Sequence, residues 1–293
     1  MGARPPSEAR PDVGTGSTPN PLLRAARKRE QPPGPCVNDR VRYLGHATVL
    51  IEIADHRILT DPVLTERVLF IRRVTNELPR APHSPAAVLI SHAHQDHLHL
   101  PSMKLLPRDM PVVVPVGLGA FVRRWGFSSV TELAVGAQVA FGPVVVRAVP
   151  AVHSGSRPPS GPRAEAIGFL VTGGGHTVYF AGDTDVFDGM DDLAEHDIDV
   201  ALLPVWGWGP RLGPGHMNPE RAAEAVARLR PTVAIPIHWG TLWPIAMRWR
   251  RHRLSEPPIQ LAEEVRRRNL PARVVILPPG DEMDLPERGR GAA

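Results

Sequence analysis

Three histidines and an aspartate lie within six residues of one another, directly after an apolar run that ends at Ile90. They are His92, His94, Asp96 and His97. Neutral imidazole nitrogens and ionised carboxylate oxygens are good ligands for a zinc-like ion. Because side chains alternate along an extended chain, His92 and His94 point the same way. The adjacent Asp96 and His97 can turn toward a second ion, so the segment predicts a metal site.

Four further strand-like runs each end at a residue that can bind a metal. The runs at 57–60, 144–152, 177–182 and 233–237 lead to Asp61, His153, Asp183 and His238. A single buried strand that ends in His or Asp is usually a structural detail. Four such endings beside the histidine cluster indicate one site, assembled at the common edge of a sheet.

The elements that must position these residues follow from the apolar pattern. Strands are predicted at 41–44, 48–53, 57–60, 87–90, 112–114 and 274–277, hairpins over 138–149 and 167–180, and helices over 117–125, 218–230 and 258–269. Asn218 and Pro219 suit the first turn of the second of these helices. Strands followed by helices in two similar halves predict an α/β fold, an αββα sandwich of two mixed sheets flanked by helices.

Composition sets the limits of the domain and its surroundings. Residues 1–36 are rich in Pro, Gly, Ser and Arg and are expected to be disordered, residues 37–282 to form one domain, and residues 283–293 to be a flexible tail. One cysteine, Cys36, excludes an internal disulfide framework. Without a run of 18 apolar residues or a signal-peptide core, a cytoplasmic location is expected.

Arginine carries nearly all of the positive charge. The net charge is +4 and the only lysines are Lys28 and Lys104. Codon composition of a GC-rich genome accounts for such a bias. The alternative is attraction to a phosphate-bearing substrate or an anionic lipid, because arginine binds phosphate through two parallel hydrogen bonds.

The order of the ligand residues resembles that of the metallo-β-lactamase superfamily: His-x-His-x-Asp-His, then His, Asp and His. The flanking motifs are Tyr43–Glu52, Thr60–Pro62, Phe180–Thr184, His216–Glu220 and Pro236–Thr241. Together they resemble the branch that holds N-acylphosphatidylethanolamine phospholipase D and the ascorbate-phosphate lactonases. The resemblance covers roughly residues 38–280, and it implies the metallo-β-lactamase fold.

The resemblance also assigns the metal ligands. His92, His94 and His153 would bind one ion, Asp96, His97 and His238 a second, and Asp183 would bridge the two. The resemblance thus implies two divalent ions roughly 3.5–4 Å apart, with zinc expected and manganese or iron also suited. A metal-bound hydroxide, oriented by Asp96 and Asp183, would be the nucleophile.

Several residues around these ligands have two interpretations. Asp61 and His46 are expected to fix the ligand tautomers by hydrogen bonds, the alternative being ordinary turn residues. His216 is expected to contact substrate or protonate the leaving group, the alternative being a residue that starts a helix. Gln95 and His99 replace the Tyr and Asp that are common in relatives, which bears on the substrate rather than on the metals.

Tryptophans are concentrated near the C-terminus. Trp206, Trp208 and Trp243 are expected to bind substrate, and the stretch 243–252 interleaves aromatic residues with cations. The simpler interpretation is a packed loop beside a solvated basic face. The functional one is an apolar wall rimmed by arginine for an acyl-bearing phosphodiester or a membrane surface. No nucleic-acid partner is expected, because the flanking motifs favour the lipase–lactonase branch.

These observations favour a phospholipase D-like, dinuclear metal-dependent hydrolase that cleaves a phosphodiester such as an N-acylphosphatidylethanolamine-like phospholipid. Peripheral contact with the inner membrane face would then be expected. The alternative enzyme is a lactonase or ester hydrolase acting on a small anionic metabolite. A non-catalytic metal-binding scaffold is the alternative of another class, and it is disfavoured because all seven ligand positions are filled. The oligomeric state stays open.

Overall fold

The computed structural model describes Met1 and residues 39–75, 78–79, 84–206, 212–247 and 254–287. Residues 2–36 of the predicted N-terminal tail, Trp208 and residues 288–293 of the predicted C-terminal tail lie outside the described residues. No helix among these described ranges combines the length and the apolar character needed to cross a bilayer.

The first sheet contains strands from the N-terminal part of the chain and one strand from its end. Its strands are β1 Arg40–Gly45, β2 Thr48–Ile53, β3 His56–Thr60, β6 Ala87–Leu89, β7 Val112–Pro115, β8 Val130–Leu133 and β17 Glu282–Asp284. Their order across the described sheet is β17-β1-β2-β3-β6-β7-β8. Strands β1 to β3, predicted at 41–44, 48–53 and 57–60, form an antiparallel meander, and β6, β7 and β8 continue parallel to β3.

The second sheet begins with the two predicted hairpins. Its strands are β9 Gln138–Phe141, β10 Val144–Pro150, β11 Ile167–Gly173, β12 His176–Phe180, β13 Val200–Pro204, β14 Val233–Ile237 and β16 Arg273–Val274. Strands β9 to β12 are antiparallel, and β13, β14 and β16 run parallel to β12. Each hairpin turns at a glycine: Gly142 and Gly174 adopt positive φ angles of 58° and 57°.

Helices cover the outer faces of the two sheets. They are α1 Leu100–Met103, α2 Gly119–Arg124, α3 Met190–Leu193, α4 Pro219–Leu229 and α5 Glu256–Arg267. The Asn218 side chain caps α4 by accepting from the Arg221 backbone N–H at 2.9 Å. The helix predicted over 117–125 is thus α2, and those predicted over 218–230 and 258–269 are α4 and α5.

Alternation along β2 separates two apolar layers. Val49, Ile51 and Ile53 join the core shared with the second sheet, whereas Leu50 packs in a second core with Met103 of α1. A strand that is buried on both faces needs cover on both faces. The predicted αββα sandwich is therefore confirmed.

A small third sheet lies outside the sandwich order. It has the order β15-β5-β4, from β4 Arg67–Val68, β5 Ile71–Arg73 and β15 Leu242–Pro244. Arg73 is buried in it and donates to the carbonyls of Leu44 at 3.3 Å and Val63 at 2.6 Å. The small sheet is thereby fastened beside the end of β1.

The C-terminal boundary differs from the prediction. The predicted strand over 274–277 is reduced to β16, and residues 282–284 form β17 antiparallel to β1. Leu285 is buried, so the expected tail starts later than residue 283. The β17 strand was missed because it is short and charged, and Glu282 pairs with Arg40 at 3.1 Å rather than filling a core.

Candidate metal centre

The strand ends that carry the candidate ligands meet at one edge of the sandwich. In the first sheet, β1, β3 and β6 run in the same direction, and their carboxyl ends lead to His46, Asp61 and the segment 91–97. In the second sheet, β10, β12 and β14 also share a direction and lead to His153, Asp183 and His238. Each sheet therefore contributes ligands to one site.

Three histidine nitrogens converge in the first ligand set. His94 Nδ1 lies 3.0 Å from His92 Nε2 and 3.0 Å from His153 Nε2. Four ligands bound tetrahedrally at 2.0–2.1 Å stand about 3.3 Å apart. The spacing of these nitrogens is thus close to the edge of such a tetrahedron, so they fit one ion of zinc-like size.

The tautomer of His92 follows from the hydrogen bonds of Ser91. The Ser91 hydroxyl donates its only proton to Asp61 Oδ2 at 2.5 Å, and it lies 2.9 Å from His92 Nδ1. That nitrogen must therefore donate to the hydroxyl, which leaves the lone pair of His92 on Nε2. Asp61 also accepts from His97 Nδ1 at 2.7 Å, so one carboxylate orients ligands of both sets.

Backbone carbonyls fix two further rings. His153 Nδ1 donates to Gly215 O at 2.7 Å, and His238 Nδ1 donates to Trp206 O at 2.5 Å. In each case Nε2 keeps its lone pair and faces the other ligands. Gly215 has φ of +74°, and a Cβ there would lie 3.0 Å from His153 Nδ1, so glycine permits this close approach.

Asp183 lies between the two ligand sets. Its Oδ2 is 4.0 Å from His153 Nε2 of the first set and 3.1 Å from His97 Nε2 of the second. Its Oδ1 is 3.3 Å from His238 Nε2. Asp96 Oδ2 is 3.9 Å from His97 Nε2 and 4.0 Å from His238 Nε2. The carboxylate of Asp183 thus lies within 4.0 Å of ligand candidates from both sets.

The donor atoms approach one another without forming good hydrogen bonds. Across the described residues, His97 Nε2, His238 Nε2 and Asp183 Oδ1 are buried polar atoms without a hydrogen-bond partner, despite the short distances between them. A buried polar atom without a partner costs roughly 1–3 kcal/mol. Atoms that point at a common centre rather than at each other would gain a partner when a cation binds there. The donor set therefore fits divalent metal.

The protonation states also suit metal binding. Burial lowers the pKa of His94 to about 4 and that of His238 to about 3, so both rings are neutral at pH 7. Burial raises the pKa of Asp183, but the surrounding imidazoles and the hydrogen bonds from His216 and His97 outweigh it, hold the pKa well below the ordinary value and keep the carboxyl ionised. Neutral imidazole and ionised carboxylate are the forms that bind metal.

His97 differs from the other ligand histidines. Burial lowers its pKa, but the carboxylates of Asp183, Asp96 and Asp61 together raise it well above the ordinary value. Three carboxylates therefore favour positive charge at its position. In the metal-bound protein, a cation beside Nε2 would satisfy the same carboxylates.

His46 lies in a tight loop beside the second ligand set. Its Nε2 is 3.1 Å from Asp96 Oδ2, and its ring centroid is 3.9 Å from that of His238. The loop depends on Gly45, whose φ is +110° and where a Cβ would lie 2.7 Å from Thr241 Oγ1. The loop is held further because the His46 backbone N–H donates to that hydroxyl at 2.8 Å. His46 is thus placed to orient Asp96.

His216 reaches the solvent side of the same carboxylate. Its Nε2 is 3.4 Å from Asp183 Oδ2, and 21% of its side chain is exposed. Burial lowers the pKa of His216, but the hydrogen bond and charge of Asp183 raise it above the ordinary value. His216 also lies three residues before the start of α4. It therefore both leads into the helix and contacts the site.

Arg157 braces the histidine-rich loop from outside. Its Nη1 donates to Ala93 O at 2.8 Å and to Leu98 O at 2.9 Å, on either side of the ligands at 94–97. Gln95 makes a second link to the same segment, because its Nε2 donates to Pro158 O at 3.1 Å. Neither Ser91 nor Arg157 was predicted. The position of Ser91 next to His92 could have indicated its role. Nothing local indicates the role of Arg157, because it is 64 residues from Ala93 in the sequence.

His99 has a structural environment. It is buried, and its Nδ1 is 2.7 Å from Ser102 Oγ, which accepts from the Leu64 backbone N–H at 2.6 Å. Burial lowers its pKa to about 4. His99 therefore holds Ser102, and the Ser102 hydroxyl links α1 to the segment after β3.

The described tryptophans differ from the predicted wall in one respect. Trp206 is half-buried beside His238, and its ring centroid is 5.8 Å from that of Trp243. Trp243 is only 2% exposed, and its Nε1 donates to Met247 O. Little of the Trp243 side chain is therefore open to solvent, and its contact with substrate stays a prediction.

Comparison with known proteins gives a consistent result. The family described as "Beta-lactamase superfamily domain" matches residues 56–239. An uncharacterized protein of Mycobacterium tuberculosis is 33% identical over 217 residues, which cover 69% of this chain and 58% of that protein. The chain thus spans little more than half the length of this mycobacterial relative.

Two other proteins match over almost their whole length. A UPF0173 metal-dependent hydrolase of Methanopyrus kandleri is 31% identical over 255 residues, covering 84% of this chain and 99% of that protein. Among solved structures, a metallo hydrolase of the archaeon Ignicoccus hospitalis has a TM-score of 0.67 at 23% identity, covering 86% of this chain and 100% of that one. The latter similarity shows a shared fold.

Proposed function

The chain belongs to the β-lactamase superfamily of metal-dependent hydrolases, and on that basis we propose that it hydrolyses a phosphodiester with two divalent ions, most simply zinc. The observation that carries this proposal is the position of Asp183 between two ligand sets, 3.1 Å from His97 and 4.0 Å from His153. When bound, the ions would supply a water of lowered pKa and a positive charge opposite the developing charge on phosphorus oxygens.

The side chains have separate tasks in this proposal. His92, His94 and His153 would hold one ion and Asp96, His97 and His238 the other, and Asp183 would be shared between them. The carboxylates of Asp96 and Asp183 also accept hydrogen bonds from the attacking water and orient it. Asp61 and His46 keep the ligands in their binding tautomers and rotamers.

His216 is assigned to the leaving group. In the reaction, water oxygen bonds to phosphorus, the bond from phosphorus to the ester oxygen breaks, and that oxygen takes up a proton. His216 Nε2 is at the partly exposed side of Asp183, and its raised pKa keeps a proton available. It is the described residue best placed to donate that proton.

The proposed substrate is an N-acylphosphatidylethanolamine-like phospholipid. Supporting this choice, the half-buried Trp206 lies next to the ligand His238 and is backed by Trp243. An indole ring offers a large apolar surface to an acyl chain near the phosphodiester. Hydrolysis at the distal phosphate ester would release phosphatidic acid and an N-acylethanolamine.

A two-stage assay tests the proposal. The zinc-loaded protein is expected to hydrolyse bis(p-nitrophenyl) phosphate, and the activity should vanish in His94→Ala and on chelation. His176→Ala is the matched control, because His176 lies at the opposite end of β12 from Asp183. The second stage measures phosphatidic acid released from N-acylphosphatidylethanolamine in mixed micelles. No turnover of either phosphodiester by protein that holds two ions would contradict the proposal.

A small-molecule substrate is the second candidate. Asp96, His94 and His216 are partly exposed, so a compact lactone or ester could reach the centre without a lipid surface. The same metal-loaded protein and the same variants would be tested on a panel of anionic lactones. Turnover of lactones alone would favour this candidate, and inactivity on every substrate would favour a metal-binding scaffold.

A further inference from the structure

An exposed apolar tip projects from the three-stranded sheet. Strands β4 and β5 form a hairpin in which Arg67 faces Arg72 and Val68 faces Ile71. The turn between them consists of Leu69 and Phe70, which are 55% and 53% exposed. The adjoining Ile245 is 46% exposed, and its backbone N–H donates to Phe70 O at 3.2 Å. We call these three residues, Leu69, Phe70 and Ile245, the apolar tip.

Local folding does not account for the residues in this turn. Leu69 adopts a φ of +50°, in the left-handed region. Two-residue hairpin turns favour Asn, Asp or Gly at such positions, and a leucine there adds steric cost as well as exposed apolar surface. Grouped apolar side chains on a surface commonly mark a site of interaction. We therefore expect a binding partner to cover the tip.

A positively charged arginine side chain lies beside the tip. The Arg67 side chain is exposed, and its Nε donates to Leu69 O at 2.6 Å, which holds the guanidinium against the turn. Arg72 is 62% exposed and forms an ion pair with Glu66 at 3.0 Å. An apolar tip with arginine at its base matches an anionic bilayer, where acyl chains take up the apolar side chains and phosphates the guanidinium.

The tip is connected to the metal centre through short contacts. In the pairing of β15 with β5, Pro244 faces Ile71 and Trp243 faces Arg72. Trp243 packs against Trp206, whose carbonyl accepts from His238. A short chain of packed and hydrogen-bonded residues thus links the apolar tip to Trp206 and to the ligand His238.

We infer that the apolar tip docks the enzyme on an anionic phospholipid bilayer, so that a lipid leaves the membrane beside Trp206 and enters the metal centre. The functional role of this docking rests on the proposed phospholipid substrate. Its evidence is separate, because the exposure of the tip and the position of Arg67 do not depend on which bond is hydrolysed.

Vesicle flotation tests the inference with the zinc-loaded protein. The wild type should bind vesicles of phosphatidylcholine with phosphatidylglycerol, and Leu69→Ser/Phe70→Ser should bind at least tenfold more weakly. Arg67→Gln should weaken binding to the anionic vesicles and leave binding to pure phosphatidylcholine unchanged. The matched control is Ile259→Ser, because Ile259 is 50% exposed but lies on α5.

Activity assays separate failure of this inference from failure of the proposed function. The double variant should hydrolyse bis(p-nitrophenyl) phosphate like the wild type and lose hydrolysis only of lipid in vesicles. Vesicle binding that needs the tip, in a protein without phosphodiesterase activity, would support docking and refute the proposed function. Equal vesicle binding by wild type and double variant overturns docking. Dimers that require the tip and do not bind vesicles would also overturn docking, and would show that the tip contacts a second copy of the chain.

Discussion

Replacing Asp61 by asparagine should weaken the binding of the ion held by His97. The buried Asp61 carboxylate accepts from the Ser91 backbone N–H at 2.8 Å, from the Ser91 hydroxyl at 2.5 Å and from His97 Nδ1 at 2.7 Å. Asparagine has nearly the same shape and tolerates the left-handed φ of +31° at this position. The substitution therefore keeps the shape of the side chain, changes its hydrogen-bonding capacity and removes one negative charge beside His97.

The expected loss of metal affinity follows from the number of hydrogen-bond acceptors that the side chain at position 61 offers. If the amide oxygen keeps the bond from the Ser91 backbone, the amide NH₂ faces His97 Nδ1–H, where two donors meet. His97 must then move its proton to Nε2, and the lone pair aimed at the metal is lost. Loss of such a supporting hydrogen bond typically costs 10–100-fold in metal affinity or activity, or about 1.4–2.7 kcal/mol.

Metal-buffered titration with competing chelator is the assay, and kcat/KM for bis(p-nitrophenyl) phosphate is the second readout. One ion should dissociate 10–100-fold more readily from Asp61→Asn, and kcat/KM should fall in parallel. Asp199→Asn is the matched control, because Asp199 is also buried and accepts from the Thr177 backbone N–H at 2.7 Å. Wild-type affinity for both ions in Asp61→Asn would refute the proposed tautomer control.

Three further predictions concern other parts of the molecule. Arg157→Met should lower kcat/KM roughly tenfold by freeing the loop it braces, with partial recovery in Arg157→Lys and no effect of Arg123→Met, whose guanidinium bonds a distant carbonyl. Tyr179→Phe should raise the free energy of unfolding in urea by about 1 kcal/mol, because the buried hydroxyl has no partner among the described residues. Glu132→Gln should destabilise the protein near pH 7, because hydrogen bonds from two backbone N–H groups lower the Glu132 pKa in the folded protein. The stability difference between variant and wild type should narrow as the pH falls from the ordinary pKa of 4.5 through the lower pKa of the folded protein.

Each of these has a result that would count against it. Equal losses in Arg157→Met and Arg123→Met would reduce the Arg157 effect to general destabilisation. A less stable Tyr179→Phe would mean that the hydroxyl has a hydrogen-bond partner, such as a buried water. A stability difference for Glu132→Gln that does not narrow as the pH falls below the ordinary pKa of 4.5 would mean that the carboxylate charge is not its source.

The sequence predicted the interior of the fold well because apolar alternation reports burial. The β1–β3 meander, both glycine-turned hairpins and the capped helix α4 all have strong local signals, and all were found. The β4–β5 hairpin and β17 had no such signal. Their strands are two or three residues long, and their stability depends on pairing with β15 or β1, which are distant in the sequence.

The convergence of the candidate ligands was predictable because each one ends a strand. Parallel strands bring their carboxyl ends to one edge, so His153, Asp183 and His238 had to lie near each other once the topology was known. The hydrogen bonds behind them were harder to predict. Those of Asp61 join residues 30 and 36 positions apart, and two histidines are oriented by backbone carbonyls that have no side-chain signature.

The division of the ligands between the two sheets has a consequence for stability. His92, His94, Asp96 and His97 follow a strand of the first sheet, whereas His153, Asp183 and His238 follow strands of the second. Bound ions would cross-link the two halves of the sandwich, and ligand binding to the native state alone adds about 2.7 kcal/mol at a hundredfold excess over Kd. Resistance to heat and the amide exchange of the inner strands should therefore follow the free metal concentration, so that metal supply sets the lifetime of the folded protein.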